Sequence, residues 1–170
     1  SSNGTEGDLA VVGQVMGLRS YEFDLLPSKL FFGRGLWQSS GTAHFTIDSS
    51  TVVVDSLQLE NEGQRVLLDG VISRDPAQAL DFAVSDVLLE NVMPFYKGPQ
   101  LHGILNGEGR VFDVYGAPVL LSYLCADSLT IDDERLGDIR VSASWNEKQR
   151  FIELAGQLQR DTLKALDFEG

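Results

Sequence analysis

The chain has 170 residues, 43% of them hydrophobic, with 17 Gly and 5 Pro. That is enough apolar material for one domain with a sizeable core, and it excludes a disordered or fibrous chain. Lys and Arg total 13 against 25 Asp and Glu, a formal net charge of -12, so a phosphate backbone is repelled and nucleic acid is excluded as a partner. Cys125 is the only cysteine, which rules out an internal disulfide and any cysteine-based metal cluster.

In chain order, residues 1–7 read as a polar, disordered edge, and no secretory leader is seen at the start. The longest uninterrupted apolar runs, such as Leu9–Val12, fall far short of the ~20 residues that a membrane-spanning helix needs. Period two then dominates. Tyr21, Phe23 and Leu25 alternate with Glu22 and Asp24, and Ala43, Phe45 and Ile47 with His44, Thr46 and Asp48. Val66, Leu68, Gly70 and Ile72 alternate with Arg65 and Asp69, although Leu67 and Val71 blur that polar side. Ile139, Val141, Ala143 and Trp145 alternate with Arg140, Ser142, Ser144 and Asn146. Successive strand side chains point to opposite faces, so these runs predict half-buried sheet with one apolar face. Turn residues punctuate them at Asp48-Ser49-Ser50, Asn61-Glu62-Gly63, Arg74-Asp75-Pro76, Lys97-Gly98-Pro99 and Asp132-Asp133-Glu134. Strands at ~8–12 residue spacing with short connections predict an antiparallel, all-β meander. The one helical expectation is a short piece near 87–95, stopped by Pro94.

An internal repeat spans residues 45–82 and 129–168. FTID at Phe45 returns as LTID at Leu129, NEGQR at Asn61 as NEKQR at Asn146, and LDGVISRDPAQALDF at Leu68 as LAGQLQRDTLKALDF at Leu154. The offsets are 84 (130 − 46), 85 (146 − 61) and 86 (156 − 70). Chance gives roughly one identity in twenty, so a duplicated unit is the reading. The first copy runs on past Phe82 and the second stops at its Phe168, so the whole chain, 1–170, is expected to be one β-rich segment of a longer repetitive protein. Its copies are expected to stack edge to edge.

Chemistry-bearing motifs are sparse. His44 and His102 fall on polar strand faces without a Ser or Cys nucleophile motif, so no catalytic residues are assigned. Asp132-Asp133-Glu134 lacks the spaced ligands and turn glycine of a calcium loop, and reads as an acidic turn; no metal and no cofactor are assigned. Gly103, Gly107 and Gly109 lie on the apolar side of one strand, without the Lys-Ser or Lys-Thr of a phosphate loop. They remove bulk there, for a tight bend or for the close approach of something else. The apolar face itself must be covered, by a second sheet, by its own curl, or by a ligand.

The stretch Leu30–Phe168, about four-fifths of the chain, resembles an internal segment of the Bacteroidetes-type TamB family of the AsmA-like superfamily. The resemblance rests on Trp37-x-x-x-Gly41, the Leu59-x-Asn61-x-x-Gln64-x-Val66-x-Leu68-x-Gly70 run, Leu101-x-Gly103-x-Leu105-x-Gly107, Ala117-Pro118, and Leu136-Gly137-Asp138 leading to Trp145. It implies a repetitive curved sheet, the open apolar trough called a β-taco, in a periplasmic protein anchored in the inner membrane. It further implies conduction of phospholipids between membranes, or assembly of outer-membrane β-barrels beside a barrel partner, and no enzymatic residues. By alternation, the residues expected to line a lipid groove for acyl chains are Phe45, Ile47, Leu57, Leu59, Val66, Leu68, Ile72, Phe82, Leu101, Leu105, Leu129, Ile131, Val141 and Trp145. Two other readings fit the same pattern: a scaffold offering strand edges to unfolded barrel proteins, and a closed β-sandwich adhesion module.

Overall fold

The computed structural model describes residues 8–17, 20–32, 35–92, 98–116, 118–146, 151–160 and 163–169. The polar edge at 1–7 lies outside them. The fold is all-β: one open, antiparallel, curved sheet of thirteen strands. The first five are short, β1 (Val11–Gly17), β2 (Ser20–Leu25), β3 (Ser28–Phe32), β4 (Gly35–Ser39) and β5 (Ala43–Ile47). Longer ones follow, β6 (Val52–Asn61), β7 (Gln64–Ile72), β8 (Ala79–Leu88), β9 (Leu101–Phe112), β10 (Val119–Ile131), β11 (Glu134–Asn146), β12 (Phe151–Arg160) and β13 (Leu163–Glu169). The single helix among the described residues, α1, is Leu89–Val92.

Turn chemistry sets the registers. Glu62 and Gly63, with φ of 48° and 90°, make the two-residue β6–β7 turn, and Asp132 and Asp133, with φ of 47° and 69°, make the β10–β11 turn. Positive φ at both central residues matches the right-handed twist of the flanking strands. The acidic triplet is therefore a hairpin turn; the Asp132 carboxylate accepts the Gln100 N–H at 2.8 Å. At the β5–β6 turn the Asp48 carboxylate accepts the N–H groups of Ser50 and Thr51 at 2.7 and 2.8 Å. Those bonds, Ser50 first, hold its pKa below the ordinary value.

Two features depart from a plain meander. β2 pairs with β5, not with β3, and the β3–β4 hairpin leaves the main path. Ten-residue β6 accommodates both, pairing its first half with β5 and Leu59 and Glu60 with Ser39 and Gln38 of β4. The helix also starts later than expected. Val87 and Leu88 remain in β8, because Val87 pairs with Leu105 on the apolar side and is wholly buried, with 0% of its surface exposed. Residues 93–97, with Pro94, lie outside the described residues.

A repeated device curls the sheet. Between Val54 and Leu57, Val84 and Val87, and Ala126 and Leu129, two residues face one on the next strand. In each bulge the second residue is left-handed: Ser56, Asp86 and Ser128, with φ of 60°, 53° and 53°. Their N–H groups, lost to the ladder, donate to Oδ1 of Asp69, Asn106 and Asp138 at 2.9, 2.8 and 2.9 Å. A bulge bends its strand and increases the local twist, and here one falls on every second strand from β6 to β10.

The two sequence copies occupy β5–β8 and β10–β13. Five antiparallel steps separate β6 from β11, so these counterpart strands run in opposite directions. The NEGQR turn and the hairpin joining β11 to β12 consequently sit at opposite ends of the sheet, and residues 147–150 of the latter lie outside the described residues. Both copies lie in one sheet, and the step of five strands inverts the second relative to the first. The copies also close their last hairpins differently, since Gly70 faces Leu80 whereas Gly156 faces Phe168.

Candidate functional site

Residues paired across adjacent strands share a face, so the registers trace continuous rows. One row runs Gly13, Phe23, Phe45, Val54, Gly70, Leu80, Val111, Leu120 from β1 to β10. A second runs Leu57, Leu68, Phe82, Gly109, Ser122, Ala143, and a third Leu59, Val66, Val84, Gly107, Leu124, Val141, Gly156. A fourth, Val87, Leu105, Ala126, Ile139, Leu158, Leu166, continues to β13. None of these rows contains a charged residue. The face they form is the candidate site.

The sequence-derived lining residues fall together. Phe45, Leu57, Leu59, Val66, Leu68, Phe82, Leu105 and Val141 stand in those rows. Ile47 and Ile72 both flank Val52, and Ile131 pairs with Leu101. Leu129 packs with Leu89, Ala126, Leu101 and Leu105. Trp145 pairs its backbone with Ile152, and its side chain lies outside the described residues. Alternation missed Val52, Val54, Val84, Val87, Leu124 and Ala126 on this face, and Ile139, read there as apolar, was not among the expected lining residues. It also missed Trp37, which shares the face two residues before Ser39 and is only 1% exposed.

The lining is half-buried along most of its length, and backbone neighbours follow mainly the hydrogen-bonded strand order, with α1 also close to β8 and β9. Side chains on a curled sheet shield one another: the Phe23 and Phe45 rings stack with centroids 4.9 Å apart and 8° between planes. The glycines of β9 serve this packing. The Phe82 ring lies over Gly109, Leu124 crowds Gly107, and Leu89 lies over Gly103. The close approach that these glycines permit is made by the chain's own side chains and by the backbone of β10.

Helix α1 covers one end of the face. Leu89 joins Ala126 and Leu129, with Leu101, Leu105, Leu136 and Ile139 packed around them. Buried Gln64, from the repeated NExQR motif, anchors this segment: its Oε1 accepts the Leu88 N–H and an Asn91 Nδ2 proton, both at 3.0 Å. Asn61 of the same motif packs its amide against Gly35 of β4.

The opposite face is polar. His44 there places Nδ1 2.7 Å from Asp24 Oδ1 and Nε2 3.2 Å from Glu22 Oε1. The hydrogen bond to Asp24 raises the imidazole pKa above its ordinary value, with Glu22 and Asp55 acting in the same direction and desolvation opposing. A raised folded-state pKa contributes stability that is fully present below the unfolded value of about 6.5 and is lost as pH rises through the folded one. His44→Asn is therefore expected to lower the urea midpoint at pH 5.5 and to leave it nearly unchanged at pH 8.5. Equal losses at both values would show that the imidazolium contributes nothing. His102 Nδ1 lies 3.7 Å from Glu90 Oε2 on α1.

No protein-family model, curated protein or solved structure matches the chain.

Proposed function

We propose that this chain is a segment of a TamB-like protein of the cell envelope, residing in the periplasm as part of an anchored parent. Its apolar sheet face holds phospholipid acyl chains and lets them pass between the inner and outer membranes. One observation carries the reading: charge-free rows run across the sheet, strand after strand, on a single face. The sequence resemblance supports it. Burial of hydrocarbon gains ~0.8 kcal/mol per CH₂, so an acyl chain of about sixteen carbons gains on the order of 10 kcal/mol. Rows without charge offer a head group no fixed partner, which leaves the lipid free to slide. Among the described residues no helix is long and apolar enough to cross a membrane.

Phospholipid extracted from the purified chain and identified by mass spectrometry tests this. The unsubstituted chain is expected to carry phospholipid and Leu68→Glu at least tenfold less. Leu67→Glu, one residue away on the opposite face, keeps it. Equal lipid in all three, or none in the unsubstituted chain, rejects the groove.

A second reading has one observation in its favour. Edge strand β1, VVGQVMG, carries no charge, and Val11, Val12 and Val15 are exposed. Uncharged edges template pairing with another strand, which suits a scaffold for outer-membrane β-barrel assembly. Binding of an extended peptide that survives Leu68→Glu but not Val12→Pro favours this reading.

A further inference from the structure

We propose that the polar face carries a second, separate binding site: a groove across β7–β10 that takes a basic, apolar-flanked segment of a protein partner. The groove has a volume of about 680 Å³. Its floor is the backbone of the row Phe82, Gly109, Ser122, and its walls are two side-chain ridges set by register. One ridge reads Leu67, Ala83, Glu108, Tyr123, and the other Asp69, Asp81, Arg110, Leu121. Three strand spacings of ~4.8 Å give a run of about 14 Å, the length of some four extended residues.

Two features of the ridges define the occupant. Leu67, Leu121 and Tyr123 are 37%, 43% and 53% exposed on an otherwise polar side, an apolar grouping that asks for cover. Between them three carboxylates meet one cation. Arg110 is committed to Asp81, with Nε 2.6 Å from Oδ1 and Nη2 3.1 Å from Oδ2. Asp69 stands directly opposite Asp81, a like-charge pairing that is unfavourable in a sheet, and Glu108 sits between Ala83 and Tyr123. Two negative charges are left in excess over an apolar groove, on a chain of net charge -12. A phosphate head group is repelled there, so the site does not duplicate the lipid face. A Lys or Arg fits: its charge beside Glu108 and Asp69, its stem or guanidinium on the Tyr123 ring, and its apolar neighbours on Leu67 and Leu121.

The test is an NMR titration of the ¹⁵N-labelled chain with acetyl-Leu-Arg-Leu-Arg-Leu-amide, with the Glu-for-Arg peptide as control. Shift changes are expected at Leu67, Ala83, Glu108, Leu121 and Tyr123, weakening as salt rises. Glu108→Lys combined with Asp69→Asn should weaken binding at least tenfold; the amide retains the acceptor for the Ser56 N–H and so keeps the bulge. Absence of shifts at millimolar peptide, equal affinity for the control, or shifts confined to the apolar rows would each overturn the site. Because the ridges lie on the other face, a failed lipid test leaves this result unaffected, and the reverse holds.

Discussion

Gly107→Val is expected to destabilise the chain by about 3 kcal/mol or more, seen as a large drop in the urea midpoint. Gly107 has φ of 145°, which a β-branched residue adopts only with strain. A Cβ there would also drive into the Tyr123 carbonyl oxygen and come within 2.9 Å of Leu124 Cδ2. Both neighbours belong to β10, the backbone partner of β9, so relief requires the two strands to separate. That separation would break the row Val84, Gly107, Leu124, Val141 at its centre. Gly41→Ala is the matched control. Nothing lies within 4 Å of its added Cβ, and the change is expected to stay within about 0.5 kcal/mol.

Gln64→Leu is expected to cost about 2–4 kcal/mol, because it strips the acceptor from two donors, the Leu88 N–H and the Asn91 amide. Both donors lie at the junction of β8 and α1, so the loss is concentrated there. Hydrogen exchange should quicken at Leu88–Asn91 more than at β7. Gln64→Glu keeps an acceptor oxygen and should recover much of the protection. If Gln64→Leu leaves exchange at α1 unchanged, the glutamine does not hold the cap on the apolar face.

Much of the fold is legible in particular residues of the sequence. Alternation set Leu57, Leu59, Val66 and Leu68 on one face, because a sheet with one polar side keeps period two wherever its ladder is regular. It lost the phase where the ladder is irregular. Val54 and Leu57, Val84 and Val87, and Ala126 and Leu129 stand three apart, each around a polar pair: Asp55-Ser56, Ser85-Asp86 and Asp127-Ser128. That apolar–polar–polar–apolar spacing is a legible sign of a bulge, and reading it would have brought Val54, Val87 and Ala126 into the lining. The branching of β3–β4 off β6 had no local signal, since it depends on how β6 divides its edge between two partners. Nor did the repeat disclose that the counterpart strands of its copies run in opposite directions. That follows from the odd number of strand steps between counterparts, β6 to β11. The roles of Asn61 and Gln64 were hidden for a similar reason: their partners, Gly35 and Asn91, are 26 and 27 residues away.

The proposed lipid face requires that, of the adjacent residues Leu67 and Leu68, which point to opposite faces, only Leu68 meets lipid. Benzoylphenylalanine placed at each position in turn, and irradiated in a bacterial envelope, puts that claim to measurement. Position 68 is expected to crosslink phospholipid, and position 67 to yield none. Lipid adducts at 67, or their absence at 68 in a folded chain, would contradict it.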